Sequence, residues 1–129
     1  MRNYLGRMIL LVEDYDKAFE FYHRNFGFGK IFELTTDVGQ RFLHIGSGAT
    51  GEAGIWFLQA EGKVQQSRIG NQVGEQPAMV IYTSNLTELY QQLQENGVKI
   101  KTAPVITPGY SFLHCYDLYG NEIVVVEMA

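Results

Sequence analysis

Two stretches of the chain carry apolar residues at positions i, i+3, i+4 and i+7: Tyr15, Ala18, Phe19 and Tyr22, then Leu86, Leu89, Tyr90 and Leu93. That period puts one apolar stripe on each of two helices, each lying on one face of a sheet. The stripes are 71 positions apart, and the same shift lays Met8-Ile9-Leu10-Leu11-Val12 over Met79-Val80-Ile81-Tyr82-Thr83. Further on, Phe42-Leu43-His44 recurs as Phe112-Leu113-His114 at a shift of 70. One gap near Gly27 and Gly97 reconciles the two shifts, and glycines there would close both helices. Asp14 and Asn85 share a register in front of the stripes, each able to cap the free N–H groups of a first turn, and Asn85 has Glu88 three residues on.

Three runs with strand character follow each helix: Lys30–Thr36, Gln40–Gly46 and Gly54–Gln59, then Val98–Thr102, Tyr110–Tyr116 and Glu122–Met128. Asp37-Val38-Gly39, Pro108-Gly109 and Tyr119-Gly120-Asn121 supply turns between them, and Gly46–Gly51 reads as an exposed loop. Each half is therefore β-α-β-β-β: a first module over residues 1–60 and a second over 76–129, joined by a polar linker over 61–75. A module of about 60 residues buries little surface alone, so residues 1–129 are expected to form one α+β domain with a shared core.

Composition narrows the classes. The net charge is −4 and the ten Lys and Arg are scattered, so no basic stripe tracks phosphates and nucleic acid is not an expected partner. No apolar run approaches ~20 residues, and the N-terminus lacks a long apolar leader, so neither a membrane span nor a secretory signal is expected and the chain reads as cytoplasmic. The single cysteine, Cys115, excludes an internal disulfide and reads as a small apolar filler in a strand.

Three local passages bear a resemblance. Leu10-Leu11-Val12-Glu13-Asp14 leads into Ala18-Phe19-Glu20-Phe21-Tyr22; Phe26-Gly27-Phe28 follows; and Asp117-Leu118-Tyr119-Gly120-Asn121-Glu122-Ile123 stands near the end. With the doubled module they resemble the vicinal oxygen chelate superfamily of glyoxalases, extradiol dioxygenases and bleomycin or fosfomycin resistance proteins. The last passage has Leu118 where the family usually has proline, and Ile69-Gly70-Asn71-Gln72 is similar to the inter-module segment of many bacterial members. The resemblance implies two tandem modules whose mixed sheets curl into a half-barrel, and commonly a homodimer. It also implies four metal ligands, His or Gln seven residues before each helix-capping residue and Glu in each module's last strand. Here those positions hold Arg7, Ala78 and Val124, and the first module's last strand offers only Gln59. Guanidinium, alanine and valine give a metal no lone pair, so the family's divalent metal is expected to be absent and no other cofactor is implied.

What remains is a set of candidates. Arg7, at the ligand register, would bring a permanent charge and five donors to a cavity wall, or else face outward to a surface acid. His44 and His114 are related by the repeat and are candidates for proton transfer or for strand packing. Tyr116 shares a sheet face with His114 by alternation, while Glu127 lies on the face opposite Val124 and reads as solvated, as does His23. Trp56, Phe57, Phe42, Phe112, Tyr110 and Tyr116 make the strands aromatic, half of them expected under the helices and half lining a concave cavity. Three readings stay open: binding of a small organic molecule in an aromatic-lined cavity without metal, with Arg7, Trp56 and Tyr116 as contacts; a metal-independent lyase or isomerase using His44 or His114 as general base; or a non-catalytic structural member with a filled cavity.

Overall fold

A computed structural model describes all 129 residues. Its elements, in order, are β1 (Arg7–Val12), α1 (Tyr15–Phe26), β2 (Gly29–Thr35), β3 (Arg41–Gly46), β4 (Gly54–Gln59), α2 (Gly62–Ser67), β5 (Met79–Tyr82), α3 (Leu86–Glu95), β6 (Ile100–Ile106), β7 (Tyr110–Tyr116) and β8 (Glu122–Met128). They form two compact units, Met1–Ser67 and Arg68–Ala129. The fold is α+β, with one four-stranded mixed sheet per unit, in the orders β1-β4-β3-β2 and β5-β8-β7-β6. Both sheets are built alike: the first strand runs parallel to the last, and the rest pair antiparallel. That is β-α-β-β-β twice, as the repeat predicts.

The helix boundaries follow the capping chemistry. Asp14 Oδ1 accepts from Lys17 N at 2.9 Å, and Asn85 Oδ1 accepts from Glu88 N at 3.0 Å. Glu88 returns a contact by accepting from Asn85 Nδ2, while Asn85 N donates to Thr83 Oγ1. Both helices end on glycines with positive φ, Gly27 at 72° and Gly97 at 75°. Just beyond, Phe28 N donates to Tyr22 O and Val98 N to Leu93 O, so the last carbonyls are not left unpaired.

The core of the first unit lies between α1 and one sheet face, where Val12, Ala18, Tyr22, Leu43, Ile45 and Phe57 are fully or almost fully buried. In the second unit Leu86 and Leu93 of α3 cover Leu113, Cys115, Ile123 and Val125 in the same way. Cys115 is the expected filler, its thiol pushed up to about 12 by burial. Phe57 alone among the six strand aromatics packs under a helix; Trp56 and Phe42 share the opposite face of the first sheet.

Three expectations need correction. The linker contains α2, a six-residue helix with no buried residue; lacking an apolar stripe, it left no periodic signal. Strand β6 starts later than Val98 and continues through Pro104 to Ile106. It is an edge strand whose register against β7 shifts between Thr102 and Val105, and there a missing N–H costs no ladder bond. Glu127 is not solvated: its Oε1 accepts from Leu86 N at 2.8 Å, tying β8 to the start of α3. No helix is long and apolar enough to cross a membrane.

Candidate functional site

On the first sheet, register alone brings residues from four strands into one row. Ile9 pairs with Trp56, Trp56 with His44, and His44 with Phe32, so the four side chains point to the face away from α1. The His44 ring lies 4.8 Å from that of Trp56 and 5.0 Å from that of Phe32, and Phe42 meets Trp56 edge-on at 5.9 Å. Ile9, Phe32 and Leu34 on this face keep 44–49% of their surface exposed.

Arg7 belongs to the same face, two residues before Ile9 and opposite Gly54. It does not fray outward to a surface acid. Its Nε donates to His44 Nδ1 at 3.2 Å and its Nη1 to Gly6 O at 2.7 Å. Gly54 makes the position possible: a Cβ there would lie 2.6 Å from Ile45 O and 3.3 Å from Arg7 Cδ.

The contact also fixes the state of His44. Because Arg7 always donates, Nδ1 must carry the lone pair, and the neutral ring holds its proton on Nε2. Burial first, and the Arg7 charge second, hold His44 below the usual imidazole range. Nε2 is buried with no hydrogen-bond partner. His44 is thus a donor here; the general-base role considered for it has no free lone pair.

The second sheet dresses its histidine oppositely. Tyr116, His114 and Phe112 alternate along the β7 face that shares Glu122, Val124 and Val126 of β8. His114 Nδ1 is 2.7 Å from Glu122 Oε2, and Lys101 Nζ is 2.7 Å from Glu122 Oε1. Glu122 is only 8% exposed. Lys101 first, and His114 second, hold its carboxyl below the usual carboxylate range, and the pairing raises Lys101 in turn.

Beside this cluster is a cavity of about 450 Å³, walled by the segment Gly70–Gln76, Ala78, Lys101, Tyr116 and Gly120–Glu122. Gly70 packs so closely on the Asp117–Asn121 turn that a Cβ would collide with the Tyr119 carbonyl. Asp117 organises the turn by accepting from Tyr119 N, Asn121 N and Asn121 Nδ2. The cavity is polar and has one aromatic wall, Tyr116, so it is not the aromatic cavity expected from the sequence. Arg7 and Trp56 come together on the first sheet, and Tyr116 lines a different unit. Glu122 and Lys101 escaped the sequence reading; alternation from Val124 would have placed Glu122 on the His114 face.

The donors fit no metal of the family's kind. Arg7, Ala78 and Val124 offer no lone pair, Gln59 pairs with buried Val12 and so falls on the sheet face opposite Arg7, and one nitrogen of each strand histidine is engaged by a neighbour. No group of three or more His, Cys, Asp or Glu converges in the structure.

A family model described as the Glyoxalase/Bleomycin resistance protein/Dioxygenase superfamily matches residues 4–125. An uncharacterized protein of Shewanella frigidimarina is 25% identical over 122 residues, covering 94% of this chain and 90% of its own. Among solved structures, UcmS2 superposes with a TM-score of 0.80 at 22% identity, over 98% of both chains. TnmS3, an antibiotic binding protein from Streptomyces sp. CB03234, superposes with a TM-score of 0.77 at 21% identity, over 99% of this chain and 98% of its own. These two likenesses show a shared fold.

Proposed function

The chain belongs to the Glyoxalase/Bleomycin resistance protein/Dioxygenase superfamily, and from that premise we propose that it binds a small organic molecule without the family's metal. The site we assign is the open face of the first sheet, where Trp56, His44, Phe32 and Phe42 offer flat apolar contacts beside the Arg7 guanidinium. One observation carries this reading. Arg7 donates only to neutral acceptors, His44 Nδ1 and Gly6 O, and makes no ion pair, while His44 Nε2–H has no partner, so an uncompensated guanidinium charge and one unsatisfied donor are held beside an aromatic surface.

A buried donor left unsatisfied costs about 1–3 kcal/mol. Sites that orient ligands commonly hold such groups. The complementary molecule is planar, largely apolar and acidic: its rings lie over Trp56 and Phe32, and its carboxylate meets Arg7. That the fold is shared with an antibiotic binding protein is compatible with sequestration of such a molecule.

Native mass spectrometry of the protein purified without chelator tests the proposal. It should show a bound organic molecule, or take one up from a library of aromatic carboxylic acids, at one equivalent per chain and without metal. A protein that takes up none of them, or that binds them only with a divalent ion, contradicts it.

A further inference from the structure

The second unit holds a cavity that binding at the first sheet does not use. Its volume of about 450 Å³ falls within the range of small-molecule pockets, about 300–1,000 Å³. Every residue that walls it belongs to the unit Arg68–Ala129. One wall is the segment Gly70–Gln76, and it is tied down along its length. Gly70, at φ 75°, packs so closely on Tyr119 that a Cβ would run into the carbonyl. Asn71 N donates to Arg68 O and Gly74 N to Asn71 O, and Ala78 N donates to Glu122 O at 2.8 Å where the chain enters β5. Ala78 lines the cavity with a single methyl group, which keeps the space open.

The chemistry of the walls selects the ligand. Asn71, Gln72 and Gln76 present carboxamides, each of them both donor and acceptor. Lys101 and Glu122, 2.7 Å apart, cancel one another's charge. No other cation lines the cavity, and Glu75 adds a negative charge, so an anionic ligand is disfavoured. Both members of the pair keep hydrogen-bonding capacity: an ammonium has three N–H groups, of which Glu122 takes one, and each carboxylate oxygen accepts more than one bond. The Lys101 side chain is 46% exposed, so its remaining N–H groups are reachable. The pair thus offers a donor and an acceptor side by side, which matches two neighbouring hydroxyl groups. Tyr116, the one aromatic wall, adds a flat apolar surface.

We infer that this cavity binds a neutral sugar, a pyranose whose C–H face lies on Tyr116 and whose adjacent hydroxyl groups bond to Lys101 and Glu122, with the carboxamides of the Gly70–Gln76 segment as further partners. A sugar ring joins an apolar face to an edge of hydroxyls that each donate and accept. The planar acid assigned to the first sheet has no such edge, so the two sites take different molecules and the inference does not rest on the first. The sugar is either a free monosaccharide or the glycosyl group of a larger molecule; the contacts are the same.

Proton–nitrogen correlation spectra of the full chain, recorded while glucose, galactose, mannose and their methyl glycosides are added, test the inference. At least one of these should shift the side-chain amide signals of Asn71, Gln72 and Gln76 and the backbone signals of Lys101 and Glu122 saturably, with the Trp56 indole signal unmoved. Tighter binding of the methyl glycoside identifies a glycosyl group as the ligand; equal or tighter binding of the free sugar identifies the monosaccharide. Cyclohexylmethanol, a ring without neighbouring hydroxyls, should bind at least about tenfold more weakly, and the uronic acid of the same sugar should bind more weakly than the sugar itself. Lys101→Met, which removes the donor, and Ala78→Leu, which fills the space, should each weaken sugar binding at least about tenfold; Lys63→Gln, on a helix with no buried residue, should not change it. No saturable shift with any of these sugars, shifts centred on Trp56, equal binding of cyclohexylmethanol, or an affinity that survives both Lys101→Met and Ala78→Leu overturns the inference. The wild-type spectra alone can overturn it, so a variant that fails to fold would not rescue it.

Discussion

Gly54→Ala is the sharpest probe of how the first sheet holds Arg7. Gly54 sits opposite Arg7 in the parallel β1–β4 pair, and an added Cβ would lie 2.6 Å from Ile45 O, 2.6 Å from Ile31 Cδ1 and 3.3 Å from Arg7 Cδ. The Ile31 methyl can turn away cheaply. The Ile45 carbonyl is backbone in the neighbouring strand, so β3 and β4 must shift by several tenths of an ångström. Overpacking of this kind costs about 1–3 kcal/mol. Gly54 is not in the positive-φ region, so alanine also restricts the unfolded chain and returns about 0.4–1 kcal/mol. The net expectation is a loss of about 1–2 kcal/mol, or a fall in Tm of roughly 3–10 °C for a chain of this size. Arg7 should be displaced at the same time, weakening its 3.2 Å bond to His44. Circular dichroism melting reads the first effect. The second is read by the emission of Trp56, the only tryptophan, whose ring lies 4.8 Å from that of His44 and tilted to it and whose emission should fall when that imidazole protonates. An unchanged or higher Tm, with a Trp56 pH profile like that of the wild type, would refute the close-packing argument.

Three further outcomes are expected. Elemental analysis of protein purified without chelators should find less than about one-tenth equivalent of Zn, Ni, Mn or Fe, because the ligand register holds Arg7, Ala78 and Val124; stoichiometric metal lost in a His44→Ala, His114→Ala double variant would refute this. His44 should make stability fall on acidification: its folded pKa lies below the unfolded one, so its contribution is complete above about pH 6.5 and is lost as pH falls through the folded value. Arg7→Gln should raise the folded value toward the unfolded one, making that loss smaller and complete at a higher pH in melting curves, and a larger loss that continues to lower pH would contradict the assigned cause. We also expect a homodimer by sedimentation velocity, because edge strand β1 exposes Met8 and Ile9, 57% and 48% accessible, and open apolar edges invite pairing; a monomer at micromolar concentration would remove the expectation.

Most of the fold could be read from the chain because its signals are local. The stripes at Tyr15–Tyr22 and Leu86–Leu93, the caps Asp14 and Asn85 and the closing Gly27 and Gly97 each depend on residues a few positions apart. Helix α2 was hidden because it buries nothing, and the end of β6 because Pro104 looks like a break until the strand is known to be an edge. The site was legible only in part, because sheet register decides it. Arg7 was singled out by its position, but its contact with His44 runs across β1, β4 and β3, 37 residues away in sequence. Glu122 belonged to a turn passage read for its fold. Its pairing with Lys101 depends on the irregular register of β6 between Ile100 and Thr102, which periodicity does not foretell.

The central claim, metal-free binding of an acidic planar molecule beside Arg7, is tested most directly by titrating Trp56 emission with naphthoate in the presence of excess chelator. The account predicts saturable quenching by naphthoate, weaker binding of the uncharged naphthylmethanol, and a loss of about 1.5–3 kcal/mol of naphthoate affinity in Arg7→Ala, of which Arg7→Lys recovers only part. Equal affinity for the charged and uncharged ligands, an Arg7→Ala protein that binds as tightly as the wild type, or quenching abolished by the chelator would contradict it.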